Sequence, residues 1–184
     1  MVYFDLKKVS ILKLSEENLR LLGDFDCGDD DLNSFIVDDA LSQQKFLANV
    51  TYLFLSNGKL IAYCALSTDS INFTEKFEEK RRLSEEGIGY STLPAVKIAR
   101  LAVCREYQKK YGVGTSIIKW VFGGTLELSD SVGCRYVTAD VKRESTGFYE
   151  KLDFKHLLSE KEEEKRSYLP VYFDLIVLKK SKGS

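Results

Sequence analysis

The chain has 184 residues, 44% of them hydrophobic, which suits one domain with a sizeable core and argues against a second independent one. Lysine and arginine number 27 against 28 aspartates and glutamates, a formal net charge of −1, so no overall field marks a nucleic-acid or membrane-surface protein, although a local basic patch is compatible with it. The opening MVYFDLKKVSILKLSEENLRLL lacks a basic segment followed by an unbroken apolar run, and no later stretch approaches the roughly 18 apolar residues of a membrane helix; a soluble cytoplasmic protein is expected.

Residues 9–14, VSILKL, alternate apolar and polar as a half-buried strand does. In DFDCGDDDLNSFIVDDALSQQKFL the period changes. Leu32, Phe35, Ile36, Ala40 and Leu41 fall near helical spacing, and Asp29 to Asp31 suit a helix cap and its positive dipole end. The turn SNGK, between two aliphatic and aromatic runs, predicts an antiparallel hairpin over 50–56 and 59–68. The charged NFTEKFEEKRRLSEEGIGYSTLP reads as a short exposed helix and loop, either a solvated connector or an excursion over a site. After Pro94, AVKIARLAVC predicts a central strand buried on both faces. GTSIIKWVFGGTLELSDSVG carries helical spacing through Ile117, Ile118, Val121 and Leu126, with a glycine pair that is either tolerated or kinks the helix. CRYVTADV predicts a strand, ESTGFYEKL a helix and YLPVYFDLIVL a closing strand. SEKEEEKRS reads as a solvated loop, and the KKSKGS end as disordered, with 1–180 forming the domain and 181–184 the tail.

Chemistry concentrates in QKKYGVGTSI. A strand ending at Cys104, a loop with Gly112 and Gly114 and then a helix would aim unpaired amides at one point, which attracts anions, and Lys109 and Lys110 add charge at the rim. Neither GxxxxGK[ST] nor GxGxxG is present, and the two glycines alone fit an ordinary strand-to-helix turn equally well. Cys27, Cys64, Cys104 and Cys134 are far apart and read as reduced structural thiols. The lone histidine, His156, has no evident nucleophile partner and reads as a surface or core residue; no metal-ligand spacing occurs.

The pair of segments KIARLAVCREYQKKYGVGTSII and YVTADVKRESTGFYEKLDF resembles the GNAT superfamily of acyl-CoA-dependent N-acyltransferases. FDCGDDDLNSF, SNGKLIAYCALSTDSI and YFDLIVL extend the resemblance to the branch that includes bacterial GNAT toxins, and together these segments cover nearly the whole chain. The resemblance implies a mixed α+β fold: a twisted, mostly antiparallel central sheet with one parallel strand pair at the acyl-CoA site, flanked by helices. It further implies that Leu101, Ala102 and Val103 meet the pantetheine arm of acetyl-CoA, the cosubstrate, with no metal. The loop of Gln108, Lys109, Lys110, Tyr111, Gly112, Val113, Gly114 and Thr115 would bind the pyrophosphate, and Tyr149 would protonate the leaving thiolate in direct transfer to a primary amine. Ser67, Asp69, Ser70 and the loop Phe25 to Gly28 would lie near the acceptor, and Arg100, Lys97 or the EKRR segment would meet RNA phosphates. Three departures from the family pattern stand out. Either Gln108 or Lys109 holds the Q/R position, Asp153 replaces a turn glycine, and ADVKRE lacks the asparagine often found after that strand.

No glutamate stands in KIARLAV to serve as base, so an amine with an already lowered pKa, such as the α-amino group of an aminoacyl ester, needs less help than a lysine. Aminoacyl-tRNA is therefore one acceptor the resemblance implies; a protein N-terminus, a polyamine or a small metabolite are others. An antitoxin partner and a homodimer come from the same likeness. A degenerate acyl-CoA-binding module and a plain structural domain are the readings from other classes.

Overall fold

The computed structural model describes residues 9–73 and 78–182; the first eight residues, 74–77 of the charged segment and the last two of the expected tail lie outside them. Its strands are β1 (Ser10–Lys13), β2 (Val50–Ser56), β3 (Lys59–Asn72), β4 (Thr92–Val103), β5 (Tyr136–Lys142), β6 (Lys155–His156) and β7 (Tyr168–Asp174). They form one sheet in the order β1-β2-β3-β4-β5-β7-β6, mostly antiparallel with β4 and β5 parallel, as the resemblance implies. The helices are α1 (Asp30–Ser34), α2 (Ala40–Lys45), α3 (Glu78–Glu85), α4 (Val113–Ser129), α5 (Thr146–Glu150), α6 (Glu160–Glu163) and α7 (Ile176–Lys182), with a π-helical segment, Phe35–Asp39, joining the first two. Contacts divide the chain into two units, residues 1–67 with 98–121 and residues 68–97 with 122–184.

In the first unit the hairpin forms as SNGK predicts. Asn57 and Gly58 both take left-handed φ, 51° and 75°, the geometry whose twist matches that of paired strands. β2 and β3 pair from Val50↔Leu66 to Ser56↔Lys59 with a bulge at Phe54/Leu55, and β3 continues beyond the predicted end. Asp29 caps α1, its carboxylate accepting from the Leu32 amide at 3.3 Å. Gln44 of α2 donates to the Leu14 carbonyl at 2.7 Å and accepts from the Thr51 amide at 3.1 Å, so one side chain fastens the helix to β2 and to the end of β1. The core gathers Leu14, Leu53, Phe35, Ile36 and Ala102 around Tyr63, whose ring meets Phe25 edge-on and Phe35 stacked. Its buried hydroxyl donates to the Leu32 carbonyl at 2.7 Å, and burial pushes its pKa well up. Trp120 packs edge-on against Tyr52 and Phe54.

The second unit pairs β5 with β7 antiparallel from Tyr136↔Asp174 to Lys142↔Tyr168, and β6 adds His156↔Val171. Phe73, Tyr136 and Tyr172 form an edge-to-face cluster with ring centroids 5.4–5.8 Å apart, and Phe122 stacks on Phe173 at 4.2 Å. At the junction of β5 and β7, Arg135 holds Asp174 at 3.0 Å and Glu86 at 2.8 Å, while Arg82 of α3 reaches both Glu79 and Asp174. Burial disfavours the Asp174 carboxylate, but hydrogen bonds from Arg135, the Ile176 amide and Arg82 outweigh it and hold its pKa below the usual range.

Four expectations are corrected. β4 is not buried on both faces: Leu93, Ala95, Ile98 and Ala102 are inside, Val96, Ala99, Leu101 and Val103 only half so, and Arg100 is exposed. The last strand ends at Asp174, because its carboxylate accepts the Ile176 amide at 3.0 Å and caps α7, so IVL coils where its β-branched composition suggested a strand. That helix also takes in the start of the expected tail, through Lys182. SEKEEEKRS contains α6, opened by a Ser159–Glu162 capping box. α4, in contrast, tolerates Gly123 and Gly124, which face open space within an unbroken helix.

Asp174→Asn removes the carboxylate that Arg135 and Arg82 share, leaving Arg135 with Glu86 and Arg82 with Glu79, and is expected to lower unfolding free energy by about 1–3 kcal/mol in urea denaturation. The depressed pKa of Asp174 means that its contribution is present above the unfolded carboxyl value and is lost as pH falls through the folded one. The wild-type advantage over the variant therefore shrinks on acidification.

Candidate functional site

The glycine loop is built from its anchors outward. β4 ends where the Cys104 amide donates to Ile61, and the Arg105 amide then donates to Asp26 at 3.0 Å, opening a 3₁₀ turn over Arg105–Tyr107. Gln108 follows in an extended conformation, and its side-chain amide donates to the carbonyls of Cys27 at 2.7 Å and Val103 at 2.8 Å. Lys109 then turns left-handed at φ 58°, unusual for a residue with a Cβ, and Gly112 does so at φ 68°, where glycine carries no penalty. α4 begins at Val113, with the Ser116 amide bonded to the Gly112 carbonyl. The amides of Val113, Gly114 and Thr115 have no acceptor within their own helix, and Lys109, Lys110 and Tyr111 are exposed beside them. Gly114 itself sits in the first helical turn and needs no positive φ. This loop fits a diphosphate: oriented N–H groups, a helix dipole and two flexible cations at one place.

Gln108 turns inward and fastens the loop to Cys27 and β4, while Lys109 faces solvent.

The expected acceptor loop, Phe25 to Gly28, lies directly against this construction. Asp26 accepts from the Asn33 side chain at 3.0 Å and the Gly28 amide at 2.7 Å and pairs with Arg105 at 2.8 Å; the first two chiefly lower its pKa. Gly28, at φ 84°, leaves room that a Cβ would close, since Arg105 would lie 3.0 Å from it. Arg100 in the same unit spreads its guanidinium over Phe35 at 5.2 Å and remains exposed. Leu101 and Val103 are half-buried, Ala102 is buried, and Ser67 is half-buried at the unit's edge in sequence.

The other expected residues belong to the second unit. Asp69 accepts from Thr138 Oγ1 at 2.6 Å and from the Ser70 amide at 2.8 Å. Lys97 is paired with Asp140 at 2.6 Å, and Arg82 of the EKRR segment is committed to Glu79 and Asp174. Neither is a free cation awaiting a phosphate. Tyr149 is buried in α5, its ring between Phe148 and Phe154 at 5.1 and 5.2 Å. Asp153, standing where the family pattern has glycine, has φ 62°, a left-handed turn that aspartate tolerates better than most residues. His156, read as a bland residue, bridges Glu150 and Glu163.

No family model and no curated protein matches the chain. Solved structures do. A tyrosine-to-phenylalanine mutant of KacT superposes with a TM-score of 0.78 at 20% identity, over 94% of this chain and 98% of that one. AtaT complexed with acetyl-methionyl-tRNAfMet gives 0.78 at 20% identity, over 93% and 97%. AtaTR bound with AcCoA gives 0.74 at 21% identity, over 94% and 97%. The chain has the GNAT fold. Within that fold the interlock of Gln108, Cys27, Asp26 and Arg105 is the part that sequence reasoning missed. Its signal is the glycine of FDCG, next to a run of aspartates at a left-handed position where an L side chain is strained and crowds Arg105.

Replacing Gln108 by alanine strips donors from two carbonyls and is expected to lower stability by about 1–3 kcal/mol in denaturant unfolding. Glutamate at 108, an acceptor facing acceptors, is expected to be worse than alanine.

Proposed function

We propose that the chain is an acyl-CoA-dependent N-acyltransferase that moves an acetyl group from acetyl-CoA to a primary amine by direct transfer. The observation that carries this reading is the loop from Gln108 to Thr115, with free helix-start amides, left-handed Lys109 and Gly112, and exposed Lys109 and Lys110. Bound there, acetyl-CoA would supply the activated thioester. The chain's own part is to hold the pyrophosphate on the α4 amides and lysines, and to offer the half-buried end of β4, Leu101 to Val103, to the pantetheine arm. Tyr149 gives a proton to the departing thiolate. An ordinary phenol pKa near 10 keeps a tyrosine protonated at neutral pH.

The acceptor reading favoured by a specific observation is the α-amino group of aminoacyl-tRNA. AtaT, similar over nearly the whole chain, is complexed with acetyl-methionyl-tRNAfMet in one structure, and in another a tyrosine-to-phenylalanine mutant of AtaT is bound to the C-terminus of the antitoxin AtaR and acetyl-CoA. β4 offers Lys97 and Arg100 rather than a carboxylate base, which suits an amine that is already weakly basic. With Lys97 and Arg82 engaged in ion pairs, exposed Arg100, and exposed Arg81 of the EKRR segment, are the cations left to meet RNA phosphate. A small antitoxin is the corresponding protein partner.

Calorimetry with acetyl-CoA, followed by thiol release against amines including aminoacyl-tRNA, tests the reading. Binding with turnover supports it; binding without turnover on any amine points to a binding module, and absence of binding overturns both. Tyr149→Phe is expected to lower kcat by about 10²–10⁴-fold with acetyl-CoA affinity retained. Replacing Lys109 and Lys110 together by alanine should weaken acetyl-CoA several-fold, more at low salt than high, and leave S-acetylpantetheine, which has no phosphates, unaffected.

A further inference from the structure

His156 has surroundings that the reading above leaves unused. It is the chain's only histidine, 30% exposed in its side chain, with Nδ1 2.7 Å from Glu163 Oε1 and Nε2 2.9 Å from Glu150 Oε1. Both partners are carboxylate oxygens, which accept and do not donate. A neutral imidazole has one N–H, so it can satisfy only one of them and would turn a lone pair toward the other; the imidazolium, with two N–H groups, satisfies both. The geometry thus selects the charged ring.

The two carboxylates stand on different elements. Glu150 is the last residue of α5 and follows Tyr149 directly, while Glu163 is the last residue of α6, whose main-chain carbonyl there also receives Arg143. From β7 the residue opposite His156 is the apolar Val171, and the neighbouring Lys155 pairs with Glu79 instead. The charged groups facing the ring are therefore Glu150 and Glu163, one on each side.

We propose that His156, as the imidazolium, clamps α5 to α6 and so positions the turn that carries Tyr149, making that placement dependent on pH. The catalytic half of this inference rests on the acetyltransferase reading; the clamp itself does not. Burial works against the charged ring, but the hydrogen bonds and charges of Glu150 and Glu163 outweigh it and raise the pKa of His156. A pKa raised above the unfolded value gives stabilisation that is fully present below about 6.5 and is lost as pH rises through the folded value. The clamp is closed on the acid side and opens on the alkaline side.

A lone histidine gives untagged protein a single imidazole Cε1–H resonance, which reads the clamp without assay of activity. Its midpoint is expected above about 6.5 in the wild type, falling toward that value in Glu150→Gln and Glu163→Gln, which preserve side-chain size. Amide protection in α5, corrected for intrinsic exchange, should drop severalfold as pH rises through the wild-type midpoint. In Glu150→Gln it should be low throughout. In turnover, kcat should decline through that same midpoint with KM for acetyl-CoA unchanged, and His156→Gln should lack that limb. A midpoint at or below 6.5, or α5 protection indifferent to it, overturns the clamp, and a kcat limb that survives in His156→Gln overturns its positioning role. If acetyl-CoA neither binds nor reacts, the acetyltransferase reading fails, while the resonance and the exchange data still decide the clamp.

Discussion

Both N–H groups of the Gln108 side chain end on main-chain carbonyls, one from the loop before α1 and one from the last residue of β4. A single neutral amide thereby fixes where β4 stops and where the glycine loop starts. The residues that follow can then adopt backbone angles that a free chain would avoid, Lys109 among them, because their origin is held. Asp26 and Arg105 repeat the fastening from the other side, with Gly28 leaving the space in which the guanidinium lies. An oriented set of amides at the start of a helix is useful only if the helix cannot swing, and these contacts supply that rigidity.

The second unit is held differently. Its β5–β7 pair is closed by a buried ion network in which Asp174 serves two arginines and the first amide of α7. Such a network contributes little net stability compared with an apolar replacement, but it punishes loss of any one member, because the remaining charge stays buried. The neutral fastening of the first unit and the ionic one of the second differ accordingly in how they respond to salt and acid.

Local chemistry explains which parts were legible in the sequence. Asn57–Gly58 needs only its own two residues to make the turn, Asp29 needs only the amide three positions on, and the period of Ile117, Ile118 and Val121 declares the helix by itself. The illegible parts depend on partners distant in the chain. Gln108 finds Cys27 across 81 positions, and Arg82 finds Asp174 across 92. The end of β7 reads as strand because Ile, Val and Leu favour one locally; a carboxylate two residues before Ile176 overrides that preference. The half-exposure of β4 is hidden for a related reason: an unbroken apolar run looks like a fully buried strand whether its second face meets protein or something that binds. His156 looked inert because Glu163, one of its two partners, lies in a segment that reads as a solvated loop and whose short helix the sequence did not disclose.

Trp120 is the chain's only tryptophan, and it sits on α4 against Tyr52 and Phe54 of β2, all within the first unit, whereas tyrosines occur in both. Its position divides the molecule optically. Indole emission reports chiefly on the packing of α4 against β2 in the unit that carries the glycine loop, while excitation of the tyrosines samples both units. Unfolding curves followed by the two signals coincide if the units melt together and separate if they do not, so the placement of one ring makes cooperativity between the halves a directly visible property.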